Sequence, residues 1–489
     1  MIVQAKNLGY NDDRKGTIGK ELWLTRRGRP RPEKVITTPA EANANLRHSA
    51  ASPGGLGYAN PDESGDAMMA LIERIFPICR SITGNGVRET LAILQNHIPL
   101  ELNEVPSGTK VFDWTIPPEW NIRAAYIGRP DGTRVVDFAA NNLHIVQYSR
   151  AVDAIMPLAE LRPHLHSLPD QPDWIPYRTS YYSENWGFCL THRQLSTLPD
   201  GPYRVFIDSD LAPGHLSYGE LLIPGKTDDT VLFSCHICHP SLANDNLSGI
   251  AVATMLAQHV RTLRPCYSYR FLFIPGTIGS LTWLARNEDK VGRIVSGLVL
   301  SCLGDAGGMT YKQSRRGDAA IDRIVAHVLC HDEVPHRITP FVPYGYDERQ
   351  YCSPGFDLPI GCLMRTPNGE YPEYHSSGDD LALLRPKSLV HSLAVLRRII
   401  AVIEGNAVYR SLNPKGEPQL GRRGLYGAMG GQRTAGYDQM ALLWVLNLAD
   451  GQNSLLETAE RAGLPFETIR AAADALVAAD LLDPMPIER

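Results

Sequence analysis

The sequence predicts an α/β protein whose mostly parallel mixed sheet carries helices on both faces, together with two smaller domains. Apolar runs typical of buried strands alternate with amphipathic runs of helical spacing between residues 228 and 405. Polar side chains follow the ends of these strand-like runs, where open α/β sheets place their ligand sites. A chain of 489 residues is also too long for one hydrophobic core, so we expect about two to four domains.

The composition is that of an ordinary soluble globular protein, with 43% hydrophobic and 21% charged residues. A net charge of −5 argues against a surface that binds polyanions over the whole molecule. The nine cysteines are scattered and often lie inside apolar runs, which favours reduced thiols in a cytoplasmic protein over a disulfide framework. The N-terminus lacks the apolar core of a signal peptide, and no run of about 18 apolar residues predicts a membrane span.

Changes in composition and periodicity divide the chain into four predicted regions. These are an irregular leader, an α/β domain in two pieces, a β-rich insertion and a winged-helix-like domain, which cover 1–65, 66–104 with 226–420, 105–225 and 430–489, respectively. The leader is rich in Arg, Gly, Pro and Ala, and ordered structure is expected to begin with a helical run at Asp66.

Each region has its own predicted elements. In the α/β domain, periodicity predicts strands over 230–235, 269–274, 297–302 and 358–363, and helices over 66–76, 89–96, 250–260, 319–328 and 389–403. In the insertion, short β-like runs between Pro and Gly turns predict strands at 135–138, 143–146 and 203–207. The tail from 437 to 482 predicts three short helices with a turn at Gly463, and a wing strand beginning at Leu481.

The most informative segment follows the first strand of the α/β domain. His236 and His239 stand at the end of this apolar run, and Asp245 follows nine residues after His236. An amphipathic run then begins at Gly249. The strand would deliver imidazoles to its end, and the loop would present a carboxylate. Because imidazole and carboxylate together suit Zn²⁺, we interpret the segment as half of a metal site.

Three other interpretations of this segment are weaker. Histidines at a strand end are ordinary polar residues by default, but here an Asp and an Asn lie within the same ten residues. Cys235 to His239 match the C-x-x-C-H pattern of c-type haem attachment, which requires an exported protein, and no export signal precedes them. A thioredoxin-like or zinc-knuckle pair is also weak, because no second C-x-x-C completes a four-cysteine site.

Two further strand ends supply candidate ligands and a candidate base. Asp305 follows the strand predicted at 297–302, and His375 lies in a shaped loop after the strand at 358–363. Glu373 stands two residues before His375, so the two side chains share one face if that segment is extended. A carboxylate beside metal-activated water is a candidate general base, which makes Glu373 the predicted catalytic residue. Asp305 or Glu373 alone would count as an ordinary loop residue, but four candidate ligands at strand ends favour a site.

A loop over 343–356 concentrates aromatic, acidic and basic residues, as the linings of substrate clefts often do. The predicted substrate contacts come from this loop, from the insertion and from an early Gly-containing loop, and they are Tyr346, Asp347, Arg349, Tyr182 and Arg80. Arg349 could pair with a substrate carboxylate, and Arg80 with another anionic group. An equally simple alternative is that Arg349 bridges to Asp347 or Glu348 and only holds the loop.

Three long strings, 236–249, 347–356 and 371–375, closely resemble a bacterial family with an aminopeptidase-like domain. Its members are often labelled polysaccharide-biosynthesis proteins and are related to the co-catalytic zinc exopeptidases. The resemblance runs from about residue 66 to the C-terminus, and it includes the β-rich insertion and the winged-helix-like tail. It implies a zinc-exopeptidase-like fold for the α/β domain.

The resemblance also implies a ligand set. In related zinc aminopeptidases, a His and an Asp bind one metal, a shared Asp bridges both metals, and a Glu and a second His complete the other site. His236 and Asp305 would then hold the first zinc, with His239 as the rival of His236. Asp245 would bridge to a second zinc held by His375, so one or two zinc ions are implied.

One position departs from the family. After the strand at 269–274 the family typically has Pro-Glu-Thr-Ile-Gly-Ser, whereas this chain has glycine at Gly276. The missing carboxylate would have been a ligand of the second zinc or the general base, and glycine can be neither. Two alternatives stay open: a mononuclear hydrolase in which Glu373 or water replaces the lost group, and a site that only binds.

These observations lead to three functional hypotheses. The first is a zinc-dependent hydrolase of amide bonds, acting on a small peptide or an N-acylated amine between the main sheet and the insertion. The second is a catalytically impaired relative that binds without turnover. The third is a transcription regulator acting through the tail. Acidic residues outnumber basic ones over 454–482, which argues against DNA and favours docking onto the α/β domain or a second subunit of a homo-oligomer.

Overall fold

The structure is a computed structural model that describes residues 61–426 and 438–485. The predicted leader therefore lies outside the described residues up to residue 60. The first helix begins at Pro61, earlier than the start expected at Asp66. Among the described helices, none combines the length and the apolar character needed to cross a lipid bilayer.

Helices and strands alternate along most of the described chain. The α-helices are α1 (Pro61–Ile75), α2 (Asn85–Gln95), α3 (Leu158–Leu161), α4 (His192–Ser196), α5 (Gly249–Thr262), α6 (Ile278–Arg286), α7 (Ala320–Cys330), α8 (Glu348–Tyr351), α9 (Pro386–Gly405), α10 (Gln439–Leu448), α11 (Leu455–Ala462) and α12 (Phe466–Ala478). The strands are β1 (Glu101–Pro106), β2 (Lys110–Val111), β3 (Trp114–Thr115), β4 (Glu119–Gly128), β5 (Arg134–Asp137), β6 (Val152–Pro157), β7 (Leu165–His166), β8 (Phe188–Cys189), β9 (Pro202–Ala212), β10 (His215–Ile223), β11 (Thr230–His236), β12 (Ser268–Ile274), β13 (Ile294–Leu300), β14 (Met309–Lys312), β15 (His336–Thr339), β16 (Ile360–Met364), β17 (Val408–Ser411), β18 (Asp450–Ser454) and β19 (Leu482–Pro484).

The central sheet has eight strands in the order β1-β10-β12-β11-β13-β16-β14-β15. Its four middle strands, β12, β11, β13 and β16, run parallel. β10 and β1 extend one edge in antiparallel fashion, and the parallel pair β14 and β15 joins the other edge through an antiparallel contact with β16. The predicted mostly parallel mixed sheet is confirmed, and each of its four predicted strands is present with shifted ends.

Both faces of this sheet are covered because its central strands are apolar on both sides. Every residue of β11 is buried. Val231 and Phe233 pack into the core shared with α1, α2, α5, α7 and α9, whereas Leu232 packs into the core that contains Trp283 of α6. The predicted helices on both faces are therefore confirmed, and they leave the carboxyl ends of the parallel strands as the place for a site.

The inserted region has its own antiparallel sheet, in the order β5-β4-β9-β6. The strands predicted at 135–138 and 203–207 correspond to β5 and β9. The strand predicted at 143–146 is wrong, because Asn142–His144 forms a 3₁₀-helix whose cap, Asn141, accepts a hydrogen bond from the Leu143 backbone. β10 lies in sequence within 105–225 but belongs to the central sheet.

The C-terminal region combines α10, α11 and α12 with a three-stranded sheet in the order β18-β17-β19. The three helices and the wing strand expected from the tail are present, and β17 adds a strand from before residue 430. Arg323 of α7 donates to Glu460 of α11 at 2.5 Å, and Arg398 of α9 donates to Glu467 of α12 at 3.0 Å. This region therefore packs against α7 and α9.

Asp322, in the first turn of α7, anchors that helix to its surroundings. Its buried carboxylate accepts hydrogen bonds from the Tyr311 hydroxyl, from the backbone and side chain of Ser314, and from the Ala319 backbone. We predict that Asp322→Ala lowers the free energy of unfolding by about 3 kcal/mol, because several buried donors lose their partner. Urea denaturation measures the loss. The control Asp318→Ala, at an exposed position, should change stability by less than about 0.5 kcal/mol, and equal losses would contradict the anchoring role.

Candidate active site

The carboxyl ends of the parallel strands bring the predicted metal residues to one edge of the sheet. His236 is the last residue of β11, and a buried turn, Ala243–Ser248, leads into α5. The Asn246 side chain ties this turn to the end of β13, since its amide donates to the carbonyl of Leu300 at 3.0 Å. Hydrogen bonds to the neighbouring strand therefore set the position of Asp245 within the turn.

Three imidazoles surround the carboxylate of Asp245. His236 Nε2 lies 2.8 Å from Oδ1 of that carboxylate. His239 Nδ1 and His375 Nε2 lie 3.2 Å and 3.1 Å from Oδ2. The ligand atoms of His236, His239 and Asp245 all lie within 4.8 Å of one another. The sequence left His236 and His239 as alternatives, and the structure brings both of them, with His375, to the same carboxylate.

Burial sets the protonation of this cluster. Burial lowers the pKa of His236 to about 4, although Asp245 opposes the shift, and it also lowers the pKa of His375. For Asp245, burial favours the neutral acid, but the attraction of His239 and His236 outweighs it and holds the pKa well below its usual range. His236 and His375 therefore favour the neutral imidazole, and Asp245 favours the ionised carboxylate, which are the forms that bind a metal.

Asp305 lies outside the cluster, contrary to the ligand role expected for it. Its carboxylate accepts hydrogen bonds from the Thr366 hydroxyl at 2.7 Å and from the Asn244 side chain at 3.0 Å. The chain turns at Cys302, which has a φ of 50°, soon after β13 ends. As a result it is the sulfur of Cys302 that comes near Asp245, 4.0 Å from Oδ1. Asp305 instead braces the loops around the site.

Asp379 belongs to the site, although no motif in the sequence singled it out. Its buried carboxylate accepts hydrogen bonds from the backbone N–H groups of Asn244 and Asp245, at 2.6 Å and 3.0 Å, and from the Tyr371 hydroxyl at 3.1 Å. Burial raises the pKa of Asp379 to about 7, partly offset by the hydrogen bond from Asn244. Its role is to hold the turn that carries Asp245. The one sequence feature that could have pointed to Asp379 is its position close to His375, but several other polar residues lie equally close to His375.

The space beside Gly276 is filled from another loop. A Cβ on Gly276 would lie 2.0 Å from Cε1 of Tyr346, so no side chain fits there while Tyr346 keeps its place. The Tyr346 ring lies against His236 with centroids 3.7 Å apart, and its hydroxyl is 3.3 Å from His239 Nε2. Tyr346, predicted as a substrate contact, is thus a buried neighbour of the His–Asp cluster, and its ring fills the space that a side chain at position 276 would need.

A segment of the insertion forms one wall of the site. The backbone N–H of Tyr177 donates to the carbonyl of His375 at 2.8 Å, and the Tyr177 ring packs on the rings of His239 and His375, each at 5.1 Å. The hydroxyls of Tyr177 and Tyr181 are 2.7 Å apart. Tyr182, the predicted contact, is 49% exposed and is not among these groups. The sequence therefore indicated the segment that forms this wall, and the substrate role of Tyr182 stays a prediction.

Two other predicted residues have roles that differ from the expectation. Arg80 is fully buried and donates to the backbone carbonyls of His239 and Ile75, so it holds the His239 loop and is not available to an anion from solvent. Glu373 and His375 do not lie on one extended segment, because the chain turns between 372 and 375 and His375 has a φ of 56°. The geometric reason for choosing Glu373 as general base is therefore wrong.

Asp347 caps α8, the short helix that follows Tyr346, and Arg349 lies within it. Asp347 is fully buried, accepts from the Ser280 hydroxyl at 2.8 Å, and has its pKa raised to about 7 by burial. Within the described residues, Asp347 Oδ2 and Arg349 Nε are buried atoms without a hydrogen-bond partner. Glu348 forms an ion pair with Lys312, and not with Arg349 as one alternative expected. The substrate roles of Asp347 and Arg349 stay predictions.

The sheet and the residues at its strand ends define the class of protein as an aminopeptidase-like α/β fold with a C-terminal winged helix. The solved structure of a zinc aminopeptidase from Bacillus subtilis matches with a TM-score of 0.52 and 11% identity, covering 70% of this chain and 95% of that chain. At this identity the likeness concerns the fold alone, and it agrees with the fold predicted from the sequence.

The chain belongs to the family described as "Domain of unknown function (DUF4910)", whose model matches residues 69–406, and a winged helix-turn-helix model matches residues 407–484. A Clostridium acetobutylicum relative named "Putative polysaccharide biosynthesis protein with aminopeptidase-like domain" is 51% identical over 423 residues, covering 86% of this chain and 97% of that protein. The crystal structure of a "putative peptidase" from the same species matches with a TM-score of 0.83 and 50% identity, covering 87% of this chain and 98% of that one. The resemblance drawn from the three sequence strings is confirmed.

The contact between Gly276 and Tyr346 predicts that the two positions are energetically coupled. Gly276→Ala should lower the free energy of unfolding by about 2 kcal/mol, because its Cβ overlaps the Tyr346 ring. In a Tyr346→Ala background the same change should cost much less, so the double variant should lose less stability than the sum of the single variants. Urea denaturation of the four proteins measures the coupling. Gly355→Ala is the matched control, since its Cβ would meet nothing within 4 Å, and additive losses at 276 and 346 would refute the overlap.

Proposed function

We propose that this protein is a zinc-dependent hydrolase of amide bonds that acts on a small peptide or an N-acylated amine. The observation that carries the proposal is the buried convergence of His236, His239 and His375 on the carboxylate of Asp245. The aminopeptidase-like fold and the name of the Clostridium relative support the hydrolase class. We infer the zinc, the reaction and the substrate class from the donor set and the fold.

The side chains present fit a zinc ion. Imidazole nitrogen and carboxylate oxygen are its common ligands. The lowered pKa of His236 keeps that ring neutral, and Asp379 fixes the loop of Asp245 through two backbone hydrogen bonds. Groups that hold the ligands in this way are typical of metal sites. His236, His239, Asp245 and His375 would therefore hold the ion.

We propose one zinc at this cluster. With glycine at 276 and Tyr346 in the adjoining space, a second ion would have only Asp245 and His375 as protein ligands. That is fewer than the three or four protein ligands usual for zinc. Asp305, which the resemblance assigned to the first ion, is engaged by Thr366 and Asn244.

The residues around the cluster have separable tasks in such a reaction. Zinc, when bound, supplies a Lewis acid for a carbonyl and for the attacking water. Arg80 keeps the His239 backbone in place, and the Tyr177 ring shields both His239 and His375 on the side of the insertion. The buried Tyr346 hydroxyl is a hydrogen-bond donor beside the cluster. The substrate would enter between the central sheet and the insertion.

A second candidate function is binding without turnover, and the arrangement at Tyr346 favours it. The place near Gly276 that could hold a catalytic carboxylate is filled by the Tyr346 ring. General acid–base groups typically contribute about 10²–10⁴-fold to rate. A protein that holds zinc and ligand but hydrolyses neither aminoacyl amides nor N-acylated amines would have this function.

We propose that the winged-helix region docks onto the α/β domain and does not bind DNA. Glu460 and Glu467, two of its acidic residues, pair with Arg323 and Arg398 of the α/β domain. Acidic side chains that meet DNA phosphates would repel them, whereas here they attach the region to α7 and α9.

Zinc content and hydrolysis together test the proposed function. His236→Ala and Asp245→Asn should each lose about one equivalent of zinc, measured by elemental analysis after loading and gel filtration, because each removes a ligand from the cluster. Hydrolysis of aminoacyl 4-nitroanilides should fall by at least about 100-fold in both variants.

The control is Asp305→Asn, which should keep its zinc because Asp305 lies outside the cluster. Unchanged zinc in His236→Ala and Asp245→Asn would sink the metal assignment. Normal zinc in the wild type without hydrolysis of either amide class would select the binding function instead.

A further inference from the structure

The last turn of α7 and the residue that caps it carry three side chains of metal-binding type, outside the candidate active site. His327, Cys330 and His331 are spaced i, i+3 and i+4, which places them beside one another on one face of the helix. Their ligand atoms all lie within 4.8 Å of one another, and the two imidazole rings are 4.7 Å apart. A small movement of side chains would bring such atoms to the spacing of ligands around one ion.

A buried atom without a partner marks the same place. His327 is 5% exposed, and within the described residues its Nε2 has no hydrogen-bond partner. Buried polar atoms almost always find a partner in the protein, in ordered water or in an ion. Cys330 is exposed and His331 is half-buried, so an ion can reach the cluster from solvent.

The charges around the cluster are balanced. Arg398 donates to the His331 carbonyl at 3.2 Å, and its own charge is met by Asp332 at 3.2 Å and Glu467 at 3.0 Å.

We propose that His327, Cys330 and His331 form a second metal site, for Zn²⁺ or a cation of similar softness, at the contact between α7 and the winged-helix region. Two imidazoles and a thiolate are a ligand set that selects such ions over magnesium or calcium. Three protein ligands leave one position for water or for a carboxylate of the winged helix. Binding would release the proton of the Cys330 thiol.

Cobalt provides a direct probe of the thiolate ligand. In a His236→Ala background, which disables the candidate active site, we expect added Co²⁺ to give a near-ultraviolet absorption band from thiolate-to-cobalt charge transfer. Adding Cys330→Ser should abolish this band and remove about one equivalent of zinc per chain, because the thiolate is lost. Cys330 is exposed, so serine is tolerated there.

Cys266→Ser in the same background is the matched control, because this half-buried free cysteine lies outside the cluster. It should leave the cobalt band and the zinc content unchanged. His331→Ala tests the imidazole arm and should weaken zinc binding by at least about tenfold. A Cys330→Ser protein that retains both the band and the zinc equivalent overturns the proposal, and so does a cobalt spectrum without a thiolate band. These readouts do not depend on hydrolysis, so the site stands or fails separately from the proposed function.

Discussion

The burial of one carboxylate is the constraint on which the site depends. Asp245 has no access to solvent, and an ionised group removed from water is stable only when other charges or hydrogen bonds replace that water. The surrounding chain supplies them from distant segments, with imidazoles at both oxygens and Asp379 beneath the backbone of the turn. The interactions that stabilise this one buried carboxylate thus connect the strand ends, the turn and the 371–380 loop.

Tyr346 gives this site a character of its own. A glycine after β12 could have left a space, but the ring of Tyr346 lies there and contacts His236. An aromatic ring and a hydroxyl thus stand where the resemblance implied a carboxylate, so the interior of the site is less acidic than that resemblance implied. In the proposed hydrolase, the group beside the imidazoles is therefore a phenol and not a carboxylate that could serve as base.

Much of the fold and half of the site could be predicted from the sequence. The parallel strands could be predicted because each is a continuous apolar run. His236, Asp245 and His375 could be predicted as site residues because they follow such runs. Asp305 was misplaced because its contacts depend on the turn at Cys302, a backbone conformation that composition does not report. Asp379 and Tyr177 were missed because their roles come from hydrogen bonds and ring contacts with residues that lie far from them in the sequence. The strand predicted over 143–146 is absent because the side chain of Asn141 caps a 3₁₀-helix there, against the local strand propensity.

The main-chain hydrogen bond from Tyr177 to His375 ties the insertion to the loop that completes the cluster. The insertion is consequently not an independent cassette. When the genes of two relatives recombine, a crossover between the codons for Tyr177 and His375 would combine the insertion of one parent with the His375 loop of the other. Functional chimaeras should therefore inherit both segments from the same parent, and the linear order of the gene conceals this unit of inheritance.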